Sequence, residues 1–134
     1  AHGRVLEPLA TMGLQVEGER NTLPLTVQGT QDLVPIVYDL AVPSAQVKSS
    51  ILLAGLHAPG RTTVVEPLPT RDHTERMLEF FGAELKIEDR ADGARAVTVC
   101  GDAELTGADL AVPGDPSSAA FLVAAALICP GSEV

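Results

Sequence analysis

The chain repeats itself at a spacing of about 70 residues, and this constrains its fold more than any other feature. A helical stretch, Val5-Leu6-Glu7-Pro8-Leu9-Ala10-Thr11-Met12, stops at Gly13, and another, Glu75 to Phe81, stops at Gly82, 69 positions later. Alternating polar and apolar residues follow each glycine, Leu14-Gln15-Val16 in the first case and Ala83-Glu84-Leu85-Lys86-Ile87 in the second. Each copy then meets a turn and a second short strand, Leu25-Thr26-Val27 and Ala96-Val97-Thr98-Val99. The tetrapeptide Leu40-Ala41-Val42-Pro43 recurs as Leu110-Ala111-Val112-Pro113, and both copies run into a helix start that contains serine. The helix from Ser44 ends near Ala58-Pro59-Gly60, and its counterpart from Pro116 ends near Cys129-Pro130-Gly131.

Each unit therefore reads helix, hairpin, strand, helix, strand, and Thr62-Thr63-Val64-Val65 leads into the next helix at Asp72. The expected fold class is α/β (α+β), with repeat units at 5–74 and 75–134. The chain enters partway through one unit and ends as another strand starts at Glu133-Val134. A strand without its continuation leaves backbone groups unpaired, so the sequence reads as a piece excised from a longer chain. Its 134 residues are then nearly two units rather than one complete domain.

With 46% hydrophobic residues and 3% aromatics, the core must be built largely from Leu, Val, Ile and Ala, which suits a sheet covered by Ala-rich helices. Nine Lys and Arg against 18 Asp and Glu give a net charge of −9, and there is no basic block, so a broad phosphate-backbone footprint is excluded and no nucleic-acid partner is expected. One small anion is still permitted, because a helix terminus and a cation or two can outweigh a distant negative average. The longest uninterrupted apolar run, Ala119 to Cys129, has 11 residues against the roughly 20 that a membrane span requires. The N-terminus also lacks a basic-then-apolar signal segment, and the chain reads as soluble and cytoplasmic, with no membrane partner. Cys100 and Cys129 lack CxxC spacing and read as buried thiols, not as metal ligands.

Three segments carry candidate chemistry. Ser44-Ala45-Gln46-Val47-Lys48-Ser49 opens a helix after Pro43, where Ser44 is a good N-cap and the free N–H groups behind it, with Gln46 as a directional donor, would hold an anion. Val47, Ile51 and Ala54 give this helix one buried face. The plainer alternative is an ordinary cap with a solvated Lys48. In Thr70-Arg71-Asp72-His73-Thr74-Glu75-Arg76, Asp72 and Glu75 have capping-box spacing, Asp72 and Arg76 can pair, and Thr74, Leu78 and Phe81 form a buried stripe. Arg71 is then left just outside the cap, either facing a ligand at the sheet edge or lying on the surface. His73 has no carboxylate, cysteine or second histidine at ligand spacing and reads as structural, with no metal site. In Pro113-Gly114-Asp115-Pro116-Ser117-Ser118, Asp115 stands upstream of a helix as a cap, which makes a second anion site there unfavourable. GxGxxG, GxxxxGKS, GxSxG and HExxH patterns are absent, and no complete catalytic set is visible.

These segments, Pro43 to Leu56, then Glu66-Pro67 with Thr70 to Leu78 and Phe81-Gly82-Ala83, then Val112 to Phe121, resemble the 5-enolpyruvylshikimate-3-phosphate synthase family. The likeness covers essentially the whole chain, with its motifs in order, and is nearest to the bacterial glyphosate-tolerant class. It implies transfer of an enolpyruvyl group from phosphoenolpyruvate to the 5-hydroxyl of shikimate 3-phosphate with release of phosphate, in aromatic amino-acid synthesis, without a metal or organic cofactor. It also implies a monomeric, two-domain parent in which each domain holds three β-α-β-α-β-β units and substrates bind between domains. Here about two units of the first domain would be present. On matching positions, Ser44 and Ala45 would hold the 3-phosphate, Gln46 would reach both substrates, and Arg71 would contact shikimate 3-phosphate.

The family's amino-terminal Lys-Ser pair, its Gly-rich segment near phosphoenolpyruvate and the arginine ahead of Ala1-His2-Gly3-Arg4 fall outside this chain, and His2 stands where Met is usual. No catalytic residue is therefore expected within it, and the isolated chain should have almost no activity. Two other classes fit the residues less well: a related enolpyruvyl transferase acting on a UDP-sugar, which the sequence from Ser44 to Ser49 disfavours, and a repeat-built structural module without an active site.

Overall fold

The structure is a computed structural model and describes residues 3–18 and 23–133. The elements run α1 (Gly3–Thr11), β1 (Gln15–Glu17), β2 (Thr26–Gln28), β3 (Val37–Asp39), α2 (Ala45–Gly55), β4 (Arg61–Glu66), α3 (His73–Phe80), β5 (Leu85–Asp89), β6 (Arg95–Cys100) and α4 (Pro116–Ile128). Helix, hairpin and helix recur in that order. Gly13 and Gly82, which stop α1 and the α3 turn, have φ of 108° and 93°, and Gly60 and Gly131 have 112° and 82°. That left-handed region suits glycine, so these stops are conformational rather than accidental. The strand expected between the hairpin and the second helix does not form in the second unit: residues 103–115 carry no regular element.

β1 and β2 form a separate antiparallel pair. The main sheet has the order β3-β4-β6-β5, with β3 parallel to β4 and the other pairings antiparallel. A parallel pair needs a crossover, and α2 supplies it. Strand alternation sends Thr62, Val64 and Glu66 of β4 to one face, where the partners of Thr62 and Val64 on β6 are Val99 and Val97. All five residues are fully shielded from solvent. α2 covers this face and packs on β4, β6 and α1, bringing Val47, Ile51, Leu52 and Leu56 into one core with Met12, Leu40 and Leu78.

Contact between α2 and the sheet is close because Gly55 has no side chain: a Cβ there would lie 2.8 Å from Thr62 Cβ and 2.9 Å from Val99 Cγ1. Two sequence expectations and one alternative reading fail at this level. Lys48 is not solvated but 1% exposed, because it shares the inward face of α2 with Ile51 and Leu52. The capping box at α3 does not form: Asp72 makes no side-chain cap and bonds Arg76 at 2.8 Å, while Glu75 turns into the core. Cys100 is only half-buried and Cys129 is exposed, since no residue of α4 is buried.

Candidate functional site

The two segments of interest leave the carboxyl ends of neighbouring parallel strands. β3 runs into Leu40-Ala41-Val42-Pro43 and then the start of α2, and β4 runs into Pro67-Leu68-Pro69-Thr70-Arg71 and then α3. Open α/β sheets characteristically bind ligands at this edge, where loops diverge and helix N-termini point outward. A backbone bond from Leu40 N to Val65 O, 2.8 Å, ties the two exits together.

Ser44 caps α2 in an extended conformation, its hydroxyl accepting from Val47 N at 3.4 Å, and the Ser44 carbonyl accepts from Lys48 N at 3.0 Å. The amides of Ala45 and Gln46, in the first helical turn, have no intrahelical acceptor and face outward along the helix axis. Beside them lies a cleft of about 680 Å³ lined by Val5, Ala45, Gln46, Ser49, Ser50, Leu53, Arg71, His73 and Thr74. Thus Ala45, Gln46 and Arg71 meet in one cleft. Ser44 does not line it and stands one residue behind, as the cap that sets the helix start.

Among the described residues no carboxylate lines this cleft, in a chain with 18 acidic residues. The nearest acid along the chain from Arg71 is Asp72, whose carboxylate is engaged by the Arg76 guanidinium at 2.8 Å. That hydrogen bond is the main cause holding the Asp72 carboxyl below its ordinary value. Among the described residues Arg71 makes no ion pair, so its guanidinium is available. A cation, two outward amides, an amide side chain and several hydroxyls form a set suited to an anionic, polyhydroxylated ligand. The set lacks a paired acid and base.

Sequence reasoning missed part of this wall. By its spacing His73 reads as structural, yet it is exposed and lines the cleft from the first turn of α3. Gln46, Ser49, Ser50 and Leu53 fall at i, i+3, i+4 and i+7 and therefore share one face of α2, a periodicity that could have located the wall. The Ser49 and Thr74 hydroxyls are 2.6 Å apart and join the two sides of the cleft. Among the described residues no group of three or more His, Cys, Asp or Glu side chains is placed to hold a metal ion, and no helix is long and apolar enough to cross a membrane.

With the enolpyruvyl transferase NikO from Streptomyces tendae the chain shares the fold, at a TM-score of 0.59 and 20% identity over 75% of this chain and 22% of that one. The family model described as EPSP synthase (3-phosphoshikimate 1-carboxyvinyltransferase) matches residues 3–134, and the chain belongs to that family. It is 59% identical over 133 residues to the 3-phosphoshikimate 1-carboxyvinyltransferase of Novosphingobium aromaticivorans, covering 98% of this chain and 30% of the relative. The protein of the same name from Zymomonas mobilis is 56% identical, with coverage of 98% and 29%. Among solved structures, EPSP synthase from Acinetobacter baumannii superposes with a TM-score of 0.74 at 48% identity, over 97% of this chain and 29% of that one. The chain thus spans about 30% of the length of the curated relatives it matches.

Proposed function

We propose that the chain forms one wall of the substrate cleft of a 3-phosphoshikimate 1-carboxyvinyltransferase, which moves the enolpyruvyl group of phosphoenolpyruvate to the 5-hydroxyl of shikimate 3-phosphate and releases phosphate. In this reading it holds about two units, 5–74 and 75–134, of a three-unit first domain in a cytoplasmic, monomeric enzyme without a cofactor. The observation that carries the reading is the convergence of Ala45, Gln46 and Arg71 on one cleft that no carboxylate of the described residues lines, in a chain of net charge −9. The 3-phosphate lies against the amide of Ala45 at the helix start that Ser44 caps from behind, where the positive end of the α2 dipole favours it. Gln46 reaches toward both substrates, and Arg71 supplies a charge-assisted, planar donor to shikimate 3-phosphate.

This wall binds and orients. General acid and base groups must come from the part of the enzyme that the chain does not span, so catalytic residues are assigned elsewhere. The test is titration calorimetry and steady-state kinetics on the full-length enzyme. Arg71→Ala and Gln46→Ala should each weaken shikimate 3-phosphate binding by about tenfold or more, the size expected for a lost charged or directional hydrogen bond. Unchanged affinity in both variants would remove the assignment.

A further inference from the structure

The elements that carry the cleft are also joined by a cluster of buried charges, none of which lines the cleft itself. Lys48 Nζ is 3.0 Å from Glu66 Oε2 and 2.5 Å from Glu75 Oε1, and the three side chains are 1%, 0% and 2% exposed. The other oxygen of Glu66, Oε1, accepts from Thr70 N at 3.2 Å and from the Thr70 hydroxyl. Glu75 Oε2 is buried with no partner among the described residues.

These contacts join three separate segments. Lys48 belongs to α2, two positions after Gln46; Glu66 ends β4; and Glu75 belongs to α3, two positions after His73. Thr70 immediately precedes Arg71. A buried ion cluster is a poor means of gaining stability, since apolar groups of the same volume commonly do as well or better. Its advantage is directional: each contact fixes a distance between elements that apolar packing would leave free to slide.

Resting on the anion-binding reading above, we propose that Lys48, Glu66, Glu75 and Thr70 are positioning residues that lock the Arg71-bearing segment to the N-terminal turn of α2 and so set the spacing of the substrate-binding groups. The decisive member is Glu66, because both of its oxygens accept hydrogen bonds from donors. In Glu66→Gln an N–H₂ group must face either the Lys48 ammonium or the Thr70 amide, donor against donor. Thr70→Val removes only the hydroxyl, on a half-buried side chain, and leaves the ion cluster in place.

The experiment measures kcat, KM for shikimate 3-phosphate and melting temperature on the full-length enzyme. Thr70→Val and Glu66→Gln should raise that KM by about three- to tenfold with kcat within about twofold, and Thr70→Ser should restore it. Val97→Ala, which thins the core opposite Val64 without removing a member of the cluster, should lower the melting temperature and leave KM unchanged. The proposal is overturned if Thr70→Val and Glu66→Gln leave KM alone, or if Val97→Ala raises it equally, while Arg71→Ala still does. If Arg71→Ala and Gln46→Ala also leave KM unchanged, the failure lies in the binding reading itself.

Discussion

Lys48 shows how one side chain can be misread and why. Its neighbours at i+3, i+4 and i+7 are Ile51, Leu52 and Gly55, all buried, so periodicity places Lys48 on the core face of α2. Residue type alone suggested solvent, and the compensating carboxylates lie 18 and 27 positions away, which no local pattern reveals. Lys48→Met would leave two buried carboxylates without a cation and should cost about 3–5 kcal/mol in urea denaturation of the full-length enzyme. Glu75→Gln should cost much less, because Glu75 uses only one oxygen and an amide can turn its N–H₂ toward the unpartnered side. A loss below about 1 kcal/mol for Lys48→Met would show that the cluster is not held as described. The site residues themselves divide in the same way. Ser44 was legible as a cap from its place before an apolar-periodic run, whereas the cleft position of His73 depends on the crossing of two helices and has no local signature.

At the level of elements, the stops were the most legible signals. Gly13, Gly60, Gly82 and Gly131 ended helices or turns where the repeat placed them, because positive φ is a local property of the backbone. Capping was less legible, since it competes with tertiary demands: Glu75 could cap α3 or enter the core, and the buried Lys48 decides the matter. Gly55 carries the reverse lesson, as a helical glycine explained only by the sheet beneath it. Gly55→Ala gains about 1 kcal/mol of helix propensity, yet overpacking against Thr62 and Val99 costs about 1–3 kcal/mol. The expected result is a lower melting temperature and a weakened cleft, as α2 lifts from β4. For α4 the cap is Asp115, whose oxygens accept from the Ser118 hydroxyl at 2.6 Å and Ser117 N at 2.9 Å. The Ser118 hydrogen bond first, then the Ser117 amide, hold its carboxyl below the ordinary value. A lowered native pKa means the cap's contribution is complete above the unfolded aspartate value and is lost as pH falls through the native one. Amide protection in the first turn of α4 should therefore fall with acid in the native sequence and stay constant in Asp115→Asn, which still caps but does not ionise.

Across the whole molecule, the two copies of the repeat differ most in what covers their second helix. α2 lies under α1 and on β4 and β6, while α4, its counterpart, has no buried residue among the described ones. Phe121, Leu127 and Ile128 are 84%, 82% and 80% exposed. Ala119 to Cys129 is the longest apolar run of the sequence and Cys129 reads as a buried thiol, but burial is a property of the assembled sheet rather than of the helix. Since the chain spans about 30% of its relatives, the rest of such an enzyme provides length enough to cover this face. The consequence is a substitution with opposite effects in two contexts. Produced alone, the 134-residue chain should self-associate and bind a hydrophobic dye, and Phe121→Glu with Leu127→Glu should make it more monomeric on gel filtration. In the full-length enzyme the same pair should destabilise the fold by at least about 3 kcal/mol, since each side chain, if covered there, is worth about 1.5–3 kcal/mol of burial. A full-length enzyme indifferent to both changes would place α4 on its surface, and the repeat would then hold in sequence without holding in packing.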